Sequence, residues 1–385
     1  MKRLIYLFII LFHSWLYCYA ESGQRISVLD FGAIPDDGLD DSENIRKACE
    51  YCRDNKSTVL FFPPGLYNFR DSLALQIERE AISGVYGDNV QGRLFKPDAP
   101  YVKALDLFGA ENLVVEAEGA ILLLEGWYEV VSIDKAREVT IKGLSIVYRR
   151  PPNTVGKITK LNEGSFDMQI DPERYFYLDK DVTGRVHYVD AMRERLYTGG
   201  RVSGKELLSK DMIRIYTDFR PSTGDFCVLR HSGHYRPAIM IKESSDIYIE
   251  GVKIHSQPGM GVVGHLSENI TLENLQVIPE AGMIISTNTD ATHFTSCKGE
   301  IVIENCKFGG QGDDCTNIHN YYYTIVPQTK RSVEIKIQNA DLHALSLDYP
   351  DVGDTLLVVN RSNLMEKEHF IVEQVDTSTV DWRVS

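Results

Sequence analysis

An eight-residue pattern recurs four times in this chain and restricts its fold more than any other feature. It reads φ-x-φ-[Glu/Lys]-[Gly/Asn]-φ-x-φ, with φ apolar, and its copies are Val139–Ile146, Ile247–Ile254, Ile270–Val277 and Ile301–Phe308. Alternating apolar residues on each side of the central pair give two short strands with one buried face. The Gly or Asn between them supplies the bend. The last three copies begin at positions 247, 270 and 301, so the steps between them are 270 − 247 = 23 and 301 − 270 = 31. Repeats of this size stack as a solenoid, and a coil of about 23 residues suits a right-handed parallel β-helix. The longer step carries eight extra residues, which we place in Pro279–Thr289. Extra residues on one coil raise a wall beside the groove.

The step from Val139 to Ile247 is too long for one coil, so residues 150–236 are an insertion. Its short alternating strands, such as Ile213–Tyr216 and Phe226–Leu229, predict a small antiparallel, β-barrel-like subdomain. Residues 326–385 read similarly, with strands at Val333–Ile337 and Leu356–Val359. The chain stops inside that pattern, at Trp382–Ser385, and an uncapped solenoid end exposes strand edges. The expectation is therefore a fragment lacking C-terminal coils. The organisation read from the sequence is a signal peptide at 1–20, an N-terminal cap and first coils at 21–149, the inserted subdomain at 150–236, site-bearing coils at 237–325 and the start of a second β subdomain at 326–385.

Lys2 and Arg3, the apolar run Leu4–Phe12 and the Cys18-Tyr19-Ala20 cut site predict export to the periplasm or medium. His13 and Ser14 break that run, which is too short to span a bilayer. Loss of Lys2 and Arg3 moves the formal charge from −14 to 39 − 55 = −16. So acidic a chain is a poor partner for nucleic acid, anionic membrane or polyuronate, and leaves neutral glycans open. Cys49 and Cys52 share a helix face with Ile45 and Ala48 and read as core; Cys306 reads as an inward residue of its coil. Asp36, Asp37, Asp40 and Asp41 resemble a metal cluster, but turn and helix-capping chemistry explains them, with Asp41 or Ser42 capping a helix that runs to about Asp54. His231, His234 and His255 have no Cys or carboxylate at ligand spacing, and no metal or cofactor is expected.

The chemistry sits in two short motifs, Asn288-Thr289-Asp290 and Gly312-Asp313-Asp314. The sequence separation of Asp290 and Asp313 is 313 − 290 = 23, one coil, so they fall on neighbouring rungs. Stacked strands lie about 4.8 Å apart, so three carboxylates crowd one spot. Like charges that close are costly unless used, and carboxylate pairs hydrolyse glycosides. A structural Asn/Asp ladder is the plainer alternative. Each motif is followed on its strand by a histidine, His293 and His319.

The layout Val28–Ala33, Asp41-Ser42 and Phe61–Tyr67 resembles the start of pectate-lyase-like β-helix enzymes. The NTD and GDDC motifs resemble the polygalacturonases, glycoside hydrolase family 28. A closer resemblance is to glycoside hydrolase family 110, the α-1,3-galactosidases, whose TADATHF-like and DDATN-[IV]-H-like segments stand here as Thr289–Phe294 and Asp313–His319. Pro258–Val263 is similar to that family's GMGVI strand. Three positions depart from it: Cys315 replaces Ala, Gly312 replaces Met, and Gly264 replaces a polar Gln. The Gly-His-Gly and Arg-Ile-Lys signatures of polygalacturonases are absent after Asp314, so a uronate carboxylate has no evident partner.

The family resemblance implies inverting hydrolysis by Asp290, Asp313 and Asp314, with Asp313 as first choice for the acid and the other two holding water. His293, Asn317 and His319 are candidates for galactose hydroxyls, and Tyr321, Tyr322 and Tyr323 for a stacking face. The implied partner is an oligosaccharide or glycoconjugate ending in α-galactose, such as blood group B antigen, with no nucleic acid and no membrane insertion. A homodimer is an assembly that such insertions often bring. The alternatives are a polygalacturonase-like pectin hydrolase and a non-catalytic carbohydrate-binding β-helix.

Overall fold

The computed structural model describes residues 24–87, 90–94, 99–176, 186–192, 195–320, 323–329, 331–336 and 350–376. The expected signal at 1–20, Tyr321, Tyr322 and Ile337 lie outside the described residues. The chain forms two compact units, one ending at His319 and the other beginning at Asn320.

The first unit is a parallel β-helix built on three sheets of seven, six and six strands. The four repeats lie directly over one another: Val139 pairs with Ile247, Ile247 with Ile270, and Ile270 with Ile301. The ladder therefore closes from Val139 to Ile247 as if the insertion were absent. The bend position needs left-handed backbone, with φ of 73° at Gly143, 64° at Gly251, 54° at Asn274 and 54° at Asn305. Gly and Asn tolerate that region best, which is why the repeat alternates between them. Inward columns such as Leu113–Val139–Ile247–Ile270 and Leu122–Ile146–Ile254–Val277 are buried and make one continuous core. Each such side chain contributes roughly 1.5–3 kcal/mol on burial.

The eight extra residues divide. The step from Ile254 to Val262 is 262 − 254 = 8, and the equivalent step from Val277 to Thr292 is 292 − 277 = 15, so seven lie in the predicted wall. The eighth is a bulge where the ladder shifts from Glu268–Lys298 to Ile270–Ile301, at Gly299 with φ of 65°. The wall packs outward: Ile285 is buried in the core of the insertion, with Met283 and Ile284 against it.

The cap is formed by the helix Ser42–Asp54, which buries Ile45, Ala48, Cys49 and Cys52, and a second helix, Ser72–Ile82, capped by Asp71 through the Leu73 amide. The four aspartates do turn work. Asp36 accepts the Leu66 amide, Asp37 the Leu39 amide, Asp40 the Ser42 amide and hydroxyl, and Asp41 the Ile34 and Asn68 amides. Asp41 stands at the N-cap position yet spends its carboxylate on the loop at Ile34 and the strand Gly65–Phe69. Cys49, Cys52, Cys227, Cys306 and Cys315 carry free thiols.

The insertion is a seven-stranded antiparallel sheet running from Asn153 to Arg230. Its two edge strands, Arg195–Tyr197 and Val202–Ser209, are consecutive in the chain. A four-residue link joins them (198–201), so the sheet must curl until its edges approach. Phe166, Met168, Tyr188, Ile213, Ile215 and Cys227 fill the curl. The second unit holds two antiparallel hairpins, Thr324–Pro327 with Val333–Lys336 and Thr355–Val359 with Glu366–Ile371. No helix among the described residues is long and apolar enough to cross a membrane.

Candidate active site

The site grows on one sheet of the β-helix, where Val262–His265, Thr292–Thr295 and Thr316–His319 stack in parallel. Thr292 and Phe294 point into the core. His293 and Thr295, one residue out of step, point away from it. The pairing sets His293 beside Asn317 and Thr295 beside His319. The local step is 316 − 292 = 24, so the register partner of Asp290 is Asp314 and not Asp313. The Ala291 amide accordingly donates to the Asp314 carbonyl at 2.9 Å.

Carboxylate oxygens of Asp290, Asp313 and Asp314 lie within 4.8 Å of one another. Asp290 is only 4% exposed, whereas Asp313 and Asp314 are exposed. Asp290 Oδ1 accepts the Asp314 amide at 3.3 Å, and Oδ2 lies 2.6 Å from His293 Nδ1. His293 Nε2 lies 3.1 Å from His319 Nε2. The six residues singled out from the sequence thus meet in one patch: three carboxylates, two linked imidazoles and Asn317 on the adjoining strand. Tyr323 belongs to the second unit.

The acidic triad is the one group of His, Cys, Asp and Glu among the described residues tight enough to hold a metal ion. Such clusters are common without one, and the same crowding suits acid–base work. His231 and His255 are engaged elsewhere, by Thr154 Oγ1 at 2.9 Å and the Ile278 carbonyl at 3.1 Å. Burial, then the charges of Arg150 and Lys205, holds His231 well below the usual imidazole range, so it is neutral. On the outward face behind His293, His265 Nδ1 meets Thr295 Oγ1 at 2.7 Å. Burial and the nearby Lys242 charge push His265 down to about 4.

The sequence reading missed the clamp behind Asp290. Asn288 Oδ1 accepts from Asn153 Nδ2 at 3.3 Å, and its Nδ2 donates to the Ser232 carbonyl at 3.3 Å. The Arg230 guanidinium donates to the Asn288 carbonyl. Asn153, Arg230 and Ser232 stand where the chain leaves and re-enters the solenoid, so the insertion grips the Asp290 loop by its roots. Arg150, 1% exposed, braces the grip through the Asn153 carbonyl at 3.0 Å and Thr154 Oγ1 at 2.9 Å. A signal did exist: Arg150 and Arg230 sit at the insertion's two ends, where a buried charge has structural work to do.

Gly312 closes the site from the other rung. A Cβ there would stand 2.3 Å from the Asn288 carbonyl oxygen and 3.2 Å from Arg230 Nη1. A glycine at position 312 thus lets the two aspartate turns approach this closely. Gly264 faces inward, where a Cβ would meet the Phe294 ring at 2.6 Å, so it takes no part in the groove.

Residues 225–342 match the family model described as Glycosyl hydrolases family 28. Alpha-1,3-galactosidase A of Shewanella woodyi is 24% identical over 379 residues, covering 89% of this chain and 60% of its own length. Alpha-1,3-galactosidase B of Bacteroides thetaiotaomicron is 26% identical over 324 residues, covering 77% of this chain and 51% of its own. The Yersinia enterocolitica family 28 exopolygalacturonase structure aligns with a TM-score of 0.36 at 13% identity, over 77% of this chain and 45% of that one. The fold assignment therefore rests on the strand register above. The chain spans about half to three-fifths of the length of the curated relatives it matches.

Proposed function

We propose that this chain, a relative of proteins named alpha-1,3-galactosidase, is an exo-acting glycoside hydrolase that removes terminal α-1,3-linked galactose from glycans such as the blood group B antigen. The observation that carries the proposal is the meeting of three carboxylates from two stacked turns, with oxygens within 4.8 Å. Nothing in the solenoid's own stability calls for three like charges there, so the cost is offset by use. Exposed Asp313 is placed to protonate the glycosidic oxygen, while Asp290 and Asp314, joined through the Asp314 amide, hold the attacking water. Asn317 and His319, half-buried at the rim, bind galactose hydroxyls.

Inversion enters this proposal through the family resemblance. Two-carboxylate inverting enzymes separate their groups by about 6.5–9.5 Å and retaining ones by about 5–5.5 Å. The nearest oxygens here are closer than either range, and a water shared by two of three carboxylates reconciles the crowding with inversion. An enzyme exported by the signal expected at residues 1–20 would act outside the cytoplasm.

The test is a substrate panel: blood-group-B trisaccharide, linear Galα1-3Gal and polygalacturonate, each with the wild-type chain. Galactose from either of the first two, with no uronate from the third, is the expected result. Uronate release would instead point to a pectin hydrolase. Tight binding to galactosides without turnover would make the chain a lectin-like β-helix.

A further inference from the structure

His293 has both ring nitrogens occupied inside the protein. Nδ1 lies 2.6 Å from Asp290 Oδ2, and Nε2 lies 3.1 Å from His319 Nε2. An ionised carboxylate only accepts, so the proton of the first contact sits on Nδ1. In the neutral ring Nε2 then carries the lone pair and accepts the Nε2–H of His319. The ring planes stand at 87° with centroids 5.0 Å apart, and the contact between the rings is nitrogen to nitrogen at hydrogen-bond distance. His293 is 7% exposed, and its strand neighbours fix its direction through the pairing with Val263 and Asn317. No nitrogen is left over for a galactose hydroxyl.

We infer that His293 is a positioning residue: it holds Asp290 in one rotamer, and His319 fixes its tautomer. With Oδ2 tied to His293, Oδ1 is the oxygen left to face Asp314, whose amide it accepts at 3.3 Å. The chain Asp290–His293–His319 runs across two rungs, so it also locks the carboxylate of one turn to the strand of the next. The sugar-contact role expected of His293 from the sequence gives way to this one, and His319 keeps its rim position with one nitrogen already spent.

The kinetic arm of the test rests on the proposed glycosidase reading; the spectroscopic arm does not. Imidazole ¹⁵N–¹H NMR of the full chain at neutral pH should show His293 protonated at Nδ1, reverting to the commoner Nε2–H form in Asp290→Ala. An Nε2–H tautomer in the wild type overturns the inference. In kinetics, His293→Leu should lower kcat about 100-fold, the scale of a small misplacement at the reacting centre, with KM within about threefold. His293→Asn, whose amide can replace the Nδ1–H donor, should recover at least about tenfold of that loss. A raised KM with unchanged kcat would make His293 a sugar contact and sink the inference. If the wild type cleaves no α-galactoside, the function fails while the tautomer still decides the role of His293.

Discussion

Asp290 and the pair Asp313–Asp314 sit on consecutive rungs of one solenoid, yet the molecule holds them in opposite ways. The Asp290 turn is buried, gripped at Asn288 by the roots of the insertion and tied at its carboxylate to His293. The Asp313–Asp314 turn is exposed and leads into Thr316–His319, the edge strand of its sheet among the described residues. The difference follows from stacking: the Asp290 rung is covered on both sides by strands, and the wall before it buries Ile285 in the insertion. A group that must orient water gains from being held. A group that must reach a glycosidic oxygen gains from being open. The repeat builds both rungs alike, and the insertion makes them unlike.

The largest expected effect is on chemistry. Asp290→Asn and Asp313→Asn should each lower kcat by about 100- to 10,000-fold, the range for a lost acid or base. The comparison is sharpened by melting temperature. Asp290→Ala should lower it, because the buried His293 Nδ1 and the Asp314 amide lose their acceptor, while Asp313→Ala should leave it within about 2 °C. Equal melting shifts would break the contrast between a held and an open rung.

Arg230→Ala removes a donor from the buried Asn288 carbonyl and should cost roughly 1–3 kcal/mol, read as a denaturant midpoint shift. Its kcat should fall along with its stability, about tenfold, if the clamp positions Asp290. Activity retained in the folded variant would reduce the insertion's root to a scaffold. Gly312→Ala forces a Cβ to 2.3 Å from the Asn288 carbonyl oxygen. Pushing the two turns apart should cost roughly 1–3 kcal/mol and several-fold in rate, measured the same way.

The smallest effect is on pH. His265 has a folded value of about 4, below its unfolded value near 6.5, so the unfolded chain binds the extra proton between those values. Its contribution is complete above about pH 6.5 and is lost as pH falls toward 4; His231, held low in the same direction, adds to it. Melting temperature should drop from pH 7 to pH 4.5, and less so in His265→Gln. A flat profile would mean these rings are not buried as neutral groups.

Much of this was legible in advance because a solenoid repeats. The apolar spacing of Val139, Ile247, Ile270 and Ile301 determined which residues stack, and the Gly or Asn at each bend announced its left-handed backbone. Spacing alone brought Asp290 to the Gly312–Asp314 turn, although the true step of 24 makes Asp314 its register partner in place of the Asp313 expected from a step of 23. Arg150 and Arg230 at the insertion's ends could mark where the clamp begins, but its partner was not legible. Asn153 opens the insertion and Asn288 stands in the wall before Asp290, far apart in sequence, and they meet because the long excursion between Val139 and Ile247 closes on itself, which no local period encodes. The second helix, Ser72–Ile82, was overlooked although Asp71 capping it and Ala74, Ile77 and Ala81 along one face are ordinary helix signals. The role of His293 needed geometry, since a histidine three residues from an aspartate on a strand can face either way.

The most direct test of the proposed hydrolytic centre follows galactose release from blood-group-B trisaccharide by proton NMR through the first minutes, with wild type and Asp313→Asn side by side. The expected result is β-galactose appearing first in the wild type, mutarotating later, and essentially no release in the folded variant. Release of α-galactose first would contradict inversion, and equal release by both proteins would contradict the aspartate cluster as the site of the chemistry.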